Sequence, residues 1–155
     1  MPVITEYTSG DAEAVWDLHV KTIRANKDGY VQNLAFHEDV RDIPRFYQAF
    51  FVLRDGGKVI GMVGLKKISS DTFEIKRLQV DAEYQGWGYG RHLMEHVFAF
   101  AKQRGVSLLR LDTSEPQTKA RNLYLSLGFT TTHVETEIAG PDKERFVITF
   151  MKLAL

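Results

Sequence analysis

The run Gln85-Gly86-Trp87-Gly88-Tyr89-Gly90 sets three glycines at alternate positions, between a β-rich stretch and a helical one. Glycine tolerates positive φ and lets a ligand approach the main chain with no Cβ in the way. The first free amides of the following helix point at one spot, and the helix dipole favours an anion there by up to about 2 kcal/mol. A tight strand-to-helix turn without a ligand needs fewer glycines. Two common phosphate motifs do not match. The dinucleotide fingerprint wants glycine at the first, third and sixth positions. Counted from Gly86 the sixth is Arg91, and counted from Gly88 it is Leu93. Asp112 does fall where a ribose-binding acid would lie, but no second mononucleotide-binding half follows. A triphosphate loop is missing its closing Gly-Lys-Ser/Thr.

Other chemistry-bearing groups are few. There is no cysteine, which removes disulfides, thiolate metal sites and cysteine nucleophiles. His92-Leu93-Met94-Glu95-His96 fits the H-x-x-E-H pattern of inverted zinc proteases. Both histidines lie opposite Leu93, Val97 and Ala101, so they read as surface histidines and no metal is expected. His19, His37 and His133 have no spacing that argues a site, and each reads as ordinary packing or surface.

The strand upstream of the glycine turn carries a slip. Phe73 and Ile75 share one face, but Leu78 and Val80 are out of phase with them. One extra residue near Lys76 or Arg77 restores the alternation, as in a β-bulge; plain alternation with a wet end is the other reading.

The run Glu74-Ile75-Lys76-Arg77-Leu78-Gln79-Val80 followed by Gln85, Gly88 and Gly90 resembles the main motif of the GNAT superfamily of acyl-CoA N-acyltransferases. Ala120-x-x-Leu123-Tyr124-x-x-x-Gly128-Phe129 resembles its second signature, and Phe150-Met151-Lys152-Leu153 its apolar C-terminal strand. The resemblance is carried by motifs over about residues 58 to 153. One departure is Gln117, where relatives often have an Asn that touches the cofactor.

What the resemblance implies is a bulged strand splayed from its neighbour, with the cofactor arm in the gap. Leu78, Gln79 and Val80 would hold pantetheine through their main chain. The turn from Gln85 through Gly86, Trp87, Gly88, Tyr89 and Gly90 to Arg91 would hold the pyrophosphate of acetyl-CoA. Tyr124 would contact the cofactor and protonate the leaving sulfur; its other reading is a packed aromatic. Glu74, on the bulged strand, is the best-placed base for the acceptor ammonium, directly or through water. A solvent-facing carboxylate paired with Lys76 or Lys66 is its other reading. A main-chain N–H freed near Leu78 would polarise the carbonyl. Trp87 and Tyr89 suit an adenine contact, a subunit interface or simple packing.

The positioning elements follow from pattern. Strands are expected over Val3–Tyr7, Phe50–Leu53, Lys58–Lys66, Thr72–Val80, Val106–Leu111, Phe129–Ile138 and Arg145–Leu153. The hairpin turns are Asp55-Gly56-Gly57 and Gly140-Pro141-Asp142. Helices are expected from Gly10 to Arg24, from Glu38 to Gln48 despite Pro44, after the glycine turn until Gly105, and from Ser114–Pro116 to Gly128. The stretch from Ala25 to His37, with Tyr30, Asn33 and Phe36, reads as a loop on the acceptor side. Phe46, Tyr47 and Phe50 either line that side or, the favoured reading for these aromatics, belong to the core. The fold class is thus α/β, a GNAT-like mixed, mostly antiparallel sheet of six or seven strands with a bulged, splayed pair, flanked by about four helices.

The 155 residues, 44% apolar and 26% charged, suit one domain over 1–155. With formal net charge zero, a whole-surface attraction to nucleic acid or anionic lipid is not expected. No run approaches the ~20 apolar residues of a membrane span, so a cytoplasmic protein is expected. The function expected is transfer of an acetyl group from acetyl-CoA to a primary amine of a small molecule or peptide. The alternative is an acyl-CoA-binding sensor that lost turnover. Relatives often dimerise, so a homodimer is also an expectation.

Overall fold

The computed structural model describes residues 1–25, 37–114, 117–139 and 144–155. The loop expected on the acceptor side, with Tyr30, Asn33 and Phe36, and the turn expected at Gly140-Pro141-Asp142 lie outside these residues. Seven strands form one sheet: β1 (Val3–Glu6), β2 (Ala49–Asp55), β3 (Lys58–Lys67), β4 (Thr72–Val80), β5 (Leu108–Ser114), β6 (Thr130–Ala139) and β7 (Glu144–Ala154). Their order is β1-β2-β3-β4-β5-β7-β6, and only the β4–β5 pair is parallel. Five helices accompany them among the described residues: α1 (Ala12–Ala25), α2 (Glu38–Arg41), α3 (Ile43–Phe46), α4 (Tyr89–Gln103) and α5 (Thr118–Ser126).

Strand alternation divides the core in two. Phe51, Leu53, Val63, Leu65, Phe73 and Ile75 pack beneath α4 and α5, with Leu93, Met94, Val97 and Tyr124. Phe50, Val52 and Met62 face the other way, against Val15 and Leu18 of α1 and Val40 and Ile43 of α2 and α3. β3 is buried along nearly its whole length, as a strand covered on both faces must be.

Three expectations are revised. The helix expected from Glu38 to Gln48 is two single turns, broken at Asp42. Pro44 cannot donate to a continuing helix and sits instead in the first turn of α3. The first helix opens with a 3-10 turn, Ser9–Asp11, in which Asp11 accepts from the Thr8 N–H at 2.9 Å. β5 starts at Leu108 rather than Val106, because the Val106 N–H closes the end of α4 on the Ala101 carbonyl at 3.1 Å.

The slip in β4 is a bulge. Met62 pairs with Gln79, but Gly64 pairs with Lys76, so Val63 faces both Arg77 and Leu78. Arg77 takes φ 56°, the left-handed region, and no other non-glycine among the described residues has positive φ. For an L residue with a side chain that costs about 1–2 kcal/mol. Beyond the bulge Leu78 and Val80 return to the α4 side.

Candidate active site

β4 and β5 pair only from Thr72, Phe73 and Glu74 to Leu108, Leu109 and Arg110. β4 runs on to Val80 and β5 to Ser114 without further pairing to each other, so the strands part into a V whose closed end is the Glu74–Arg110 rung. Neither Arg77 nor Leu78 has a register partner on either neighbouring strand. The bulge and the splay therefore coincide.

At the wide end of the V the chain leaves β4 through a short 3-10 turn, Ala82–Tyr84. Asp81, buried, fixes this exit: its carboxylate accepts from Lys21 Nζ of α1 at 2.9 and 3.1 Å and from the Glu83 N–H at 3.1 Å. Gly86 (φ 84°) and Gly88 (φ 85°) both adopt the left-handed conformation, and a Cβ added to either would meet nothing within 4 Å. The first main-chain bond of α4 runs from the His92 N–H to the Gly88 carbonyl. The N–H groups of Tyr89, Gly90 and Arg91 thus have no acceptor within the helix. Gly90 lets α4 and α5 meet, since its Cβ would stand 3.3 Å from Leu123 Cδ2.

Side chains of this turn are partly engaged. Gln85 Nε2 donates to the Val80 carbonyl at 3.0 Å, and the Arg91 guanidinium donates to Ser126 Oγ at 2.7 Å. Trp87 is 76% exposed, whereas Tyr89 is half-buried near Tyr84. Gln117 Oε1 accepts from Thr113 Oγ1 and the Ser114 N–H, both at 3.0 Å, so its carbonyl closes the end of β5.

Tyr124 comes off α5 into the core beside Phe129. Burial, with a smaller contribution from the Asp112 charge, pushes its hydroxyl up to about 12. It stays protonated at any physiological pH. Glu74 occupies the closed end of the V. Its carboxylate accepts from Arg110 Nε at 3.0 Å and lies 3.6 Å from Lys76 Nζ; Lys66 takes no part. Lys76 reaches across the gap to Asp112 at 3.0 Å. Asp112 alternates with the buried Leu111 and Thr113, so it lies on the sheet face opposite α4 and α5, in the half of β5 that pairs with β7 but not with β4.

His92 is exposed, as expected, but His96 is half-buried and packs edge-on against Phe51, ring centroids 4.6 Å apart. His133 stacks on Phe150 at 4.3 Å. His19 and His37 form a buried pair, Nε2 to Nδ1 2.6 Å, and Gln79 Nε2 donates to His19 Nδ1 at 3.0 Å. Gln79 Oε1 is buried with no hydrogen-bond partner. Burial first, then the Arg77 and His37 charges, lower His19 to about 4, and burial lowers His37 as well.

The sign of the stability effect follows. Above the ordinary value of 6.5 both folded and unfolded states hold His19 neutral. As pH falls from 6.5 to about 4, the unfolded chain gains a proton that the folded chain refuses, and about 3 kcal/mol of stability is lost. Thermal melts over this window should therefore show a falling midpoint in the native chain and a flatter one in His19→Gln. Parallel slopes would contradict this account of the pair.

The chain matches the family model described as the acetyltransferase (GNAT) family over residues 13–129. This chain is a member of the GNAT family. Human N-acetyltransferase 8B is 37% identical over 107 residues, 63% of this chain and 47% of that protein. Human N-acetylaspartate synthetase is 34% identical over 101 residues, 61% of this chain and 33% of that protein. The matched stretch spans less than half the length of each of these relatives. Among solved structures, the ribosomal-protein-S18-alanine N-acetyltransferase from Escherichia coli superposes with TM-score 0.79 at 23% identity, covering 99% of this chain and 94% of that one. A Salmonella typhimurium protein solved with its cofactor acetyl-CoA superposes with TM-score 0.78 at 19% identity, covering 100% and 94%. The GNAT fold is thus shared along the whole chain. No helix among the described residues is long and apolar enough to cross a membrane.

Proposed function

We propose that this GNAT chain transfers an acetyl group from acetyl-CoA to a primary amine of a small molecule or peptide. One observation supports the reading: the V between β4 and β5 opens onto a turn with left-handed glycines and helix-end amides that have no partner within α4, which suits an anion. In this reading the Gly86–Arg91 amides hold the pyrophosphate. The main chain of Leu78, Gln79 and Val80 lines the pantetheine arm; the Val80 carbonyl would first have to release Gln85. Gln117 contributes through its amide nitrogen, because its oxygen is engaged.

The roles of the side chains follow the proton balance. A carboxylate takes one proton from the acceptor ammonium, and the neutral nitrogen attacks the thioester carbon. The Leu78 N–H donates to the carbonyl oxygen as it gains charge. The C–S bond breaks, and Tyr124 gives its proton to the sulfur. The second proton of the acylated nitrogen restores the phenol, so one proton leaves per turnover. With cysteine absent, direct transfer needs no acyl-enzyme.

Glu74 is the first choice for the carboxylate. A specific observation favours a second: Glu74 is held by two cations on the last paired rung, whereas Asp112 stands past that rung with one. Glu74→Gln should lower kcat about 10–100-fold at neutral pH while acetyl-CoA affinity holds. If it turns over at the native rate and Asp112→Asn does not, the base is Asp112.

Calorimetric titration tests the cofactor half directly. One-to-one binding of acetyl-CoA below about 1 mM is expected, and no heat at that concentration would count against the reading. Human N-acetylaspartate synthetase carries an acetylated amino acid in its name, which puts free amino acids among the first acceptors to try.

A further inference from the structure

Arg77, the left-handed residue of the bulge, is clamped by its side chain. Its Nε donates to Asp39 Oδ2 at 3.0 Å and a terminal nitrogen donates to Asp39 Oδ1 at 2.9 Å, a two-pronged fork of the strong, geometrically specific kind. The Tyr47 hydroxyl donates to Asp39 Oδ2 at 2.5 Å. Both ionic side chains are mostly buried, and Tyr47 is buried. β3 makes room for this arrangement at Gly64, where a Cβ would stand 2.5 Å from the Tyr47 ring. Burial alone would raise Asp39; the Arg77 and Tyr47 hydrogen bonds outweigh it and hold the carboxyl near 2, so the clamp stays ionised.

Glycine would hold the same φ with no strain and no partner. With arginine there, the backbone conformation becomes conditional on Asp39, which belongs to α2 on the other side of the sheet from α4. Gln79, two residues on, is tied in the same direction to His19. Leu78, between them, points its side chain the opposite way. Its main-chain orientation is therefore set by anchors on both sides.

We propose that Asp39 and Arg77 are positioning residues for acetyl transfer: their fork holds the left-handed turn of the bulge and so aims the Leu78 N–H at the thioester carbonyl. This rests on the acetyl-CoA reading above. It goes beyond that reading by making carbonyl polarisation depend on a contact between β4 and α2. Neither side chain touches the reacting atoms.

Infrared difference spectra of acetyl-CoA labelled with carbon-13 at the thioester carbonyl read the polarisation without an acceptor amine. The native protein should shift the carbonyl stretch to lower frequency on binding. Asp39→Asn, which keeps the shape and loses the charge, should lose about half of that shift or more, with affinity within about threefold. Asp39→Ala should lose it further. Combining Asp39→Ala with Arg77→Gly should restore part of it, because glycine needs no clamp to keep positive φ. A merely structural contact would not be rescued by removing its second partner.

The inference is overturned alone if acetyl-CoA binds and Asp39→Asn shows the full native shift. It is equally overturned if the native protein binds with no shift, or if Arg77→Gly restores nothing. Failure of the native protein to bind acetyl-CoA would overturn the cofactor reading, and this inference with it.

Discussion

Gly88→Glu is expected to weaken CoA binding by more than about 100-fold while leaving the protein folded. Gly88 caps α4 at φ 85°. A glutamate there is strained by the left-handed backbone, but its Cβ meets no neighbour within 4 Å, so no packing is lost. Its carboxylate would enter the space in front of the Tyr89, Gly90 and Arg91 amides. A negative charge at a helix N-terminus favours the helix, so α4 persists with its anion site filled from within. Gly88→Ala, strained but uncharged, should cost much less. Calorimetry with free CoA separates the two variants, and native affinity in Gly88→Glu would remove the pyrophosphate from this turn.

Tyr124→Phe carries the other large effect. The hydroxyl is buried, and burial together with the Asp112 charge keeps it protonated up to about pH 12. The ring packs against Phe129 and faces the core beneath α4 and α5, and phenylalanine fills the same space. Stability and acetyl-CoA affinity should therefore change little. The maximal rate should fall about 100-fold, because the thiolate would leave without a proton donor. With the neutral phenol as the proposed donor, the native protein should show no alkaline limb from this group below about pH 11. An unchanged rate in Tyr124→Phe would return the residue to a packing role.

Much of the architecture was legible because it is written in short-range pattern. The phase slip between Ile75 and Leu78 located the bulge within one residue of Arg77. The alternate glycines located the open end of the V, and the helix stripe of Leu93, Val97 and Ala101 located α4. Boundaries failed where a local bond outranked propensity, as at Val106, whose N–H serves the helix before the strand.

The polar groups behind the site were not legible. Glu74 meets Arg110 because two parallel strands share a rung, and the residues are 36 apart in sequence. Asp39 meets Arg77 across 38 residues, and His19 meets His37 across 18. No helical or strand period connects such pairs; they appear only once α1 and α2 lie across β3 and β4. Reading the isolated histidines as ordinary therefore missed a buried pair, and reading Tyr47 as core missed its hydroxyl.

Acetyl-CoA is the proposed donor at the glycine turn and the V, and an amine is the proposed acceptor. A screen for thiol release from acetyl-CoA against a library of small amines and amino acids tests this most directly. One or more amines should release CoA thiol in step with acetylated product, and Tyr124→Phe should slow both together. A protein that binds acetyl-CoA and leaves the thioester intact with every amine would contradict it.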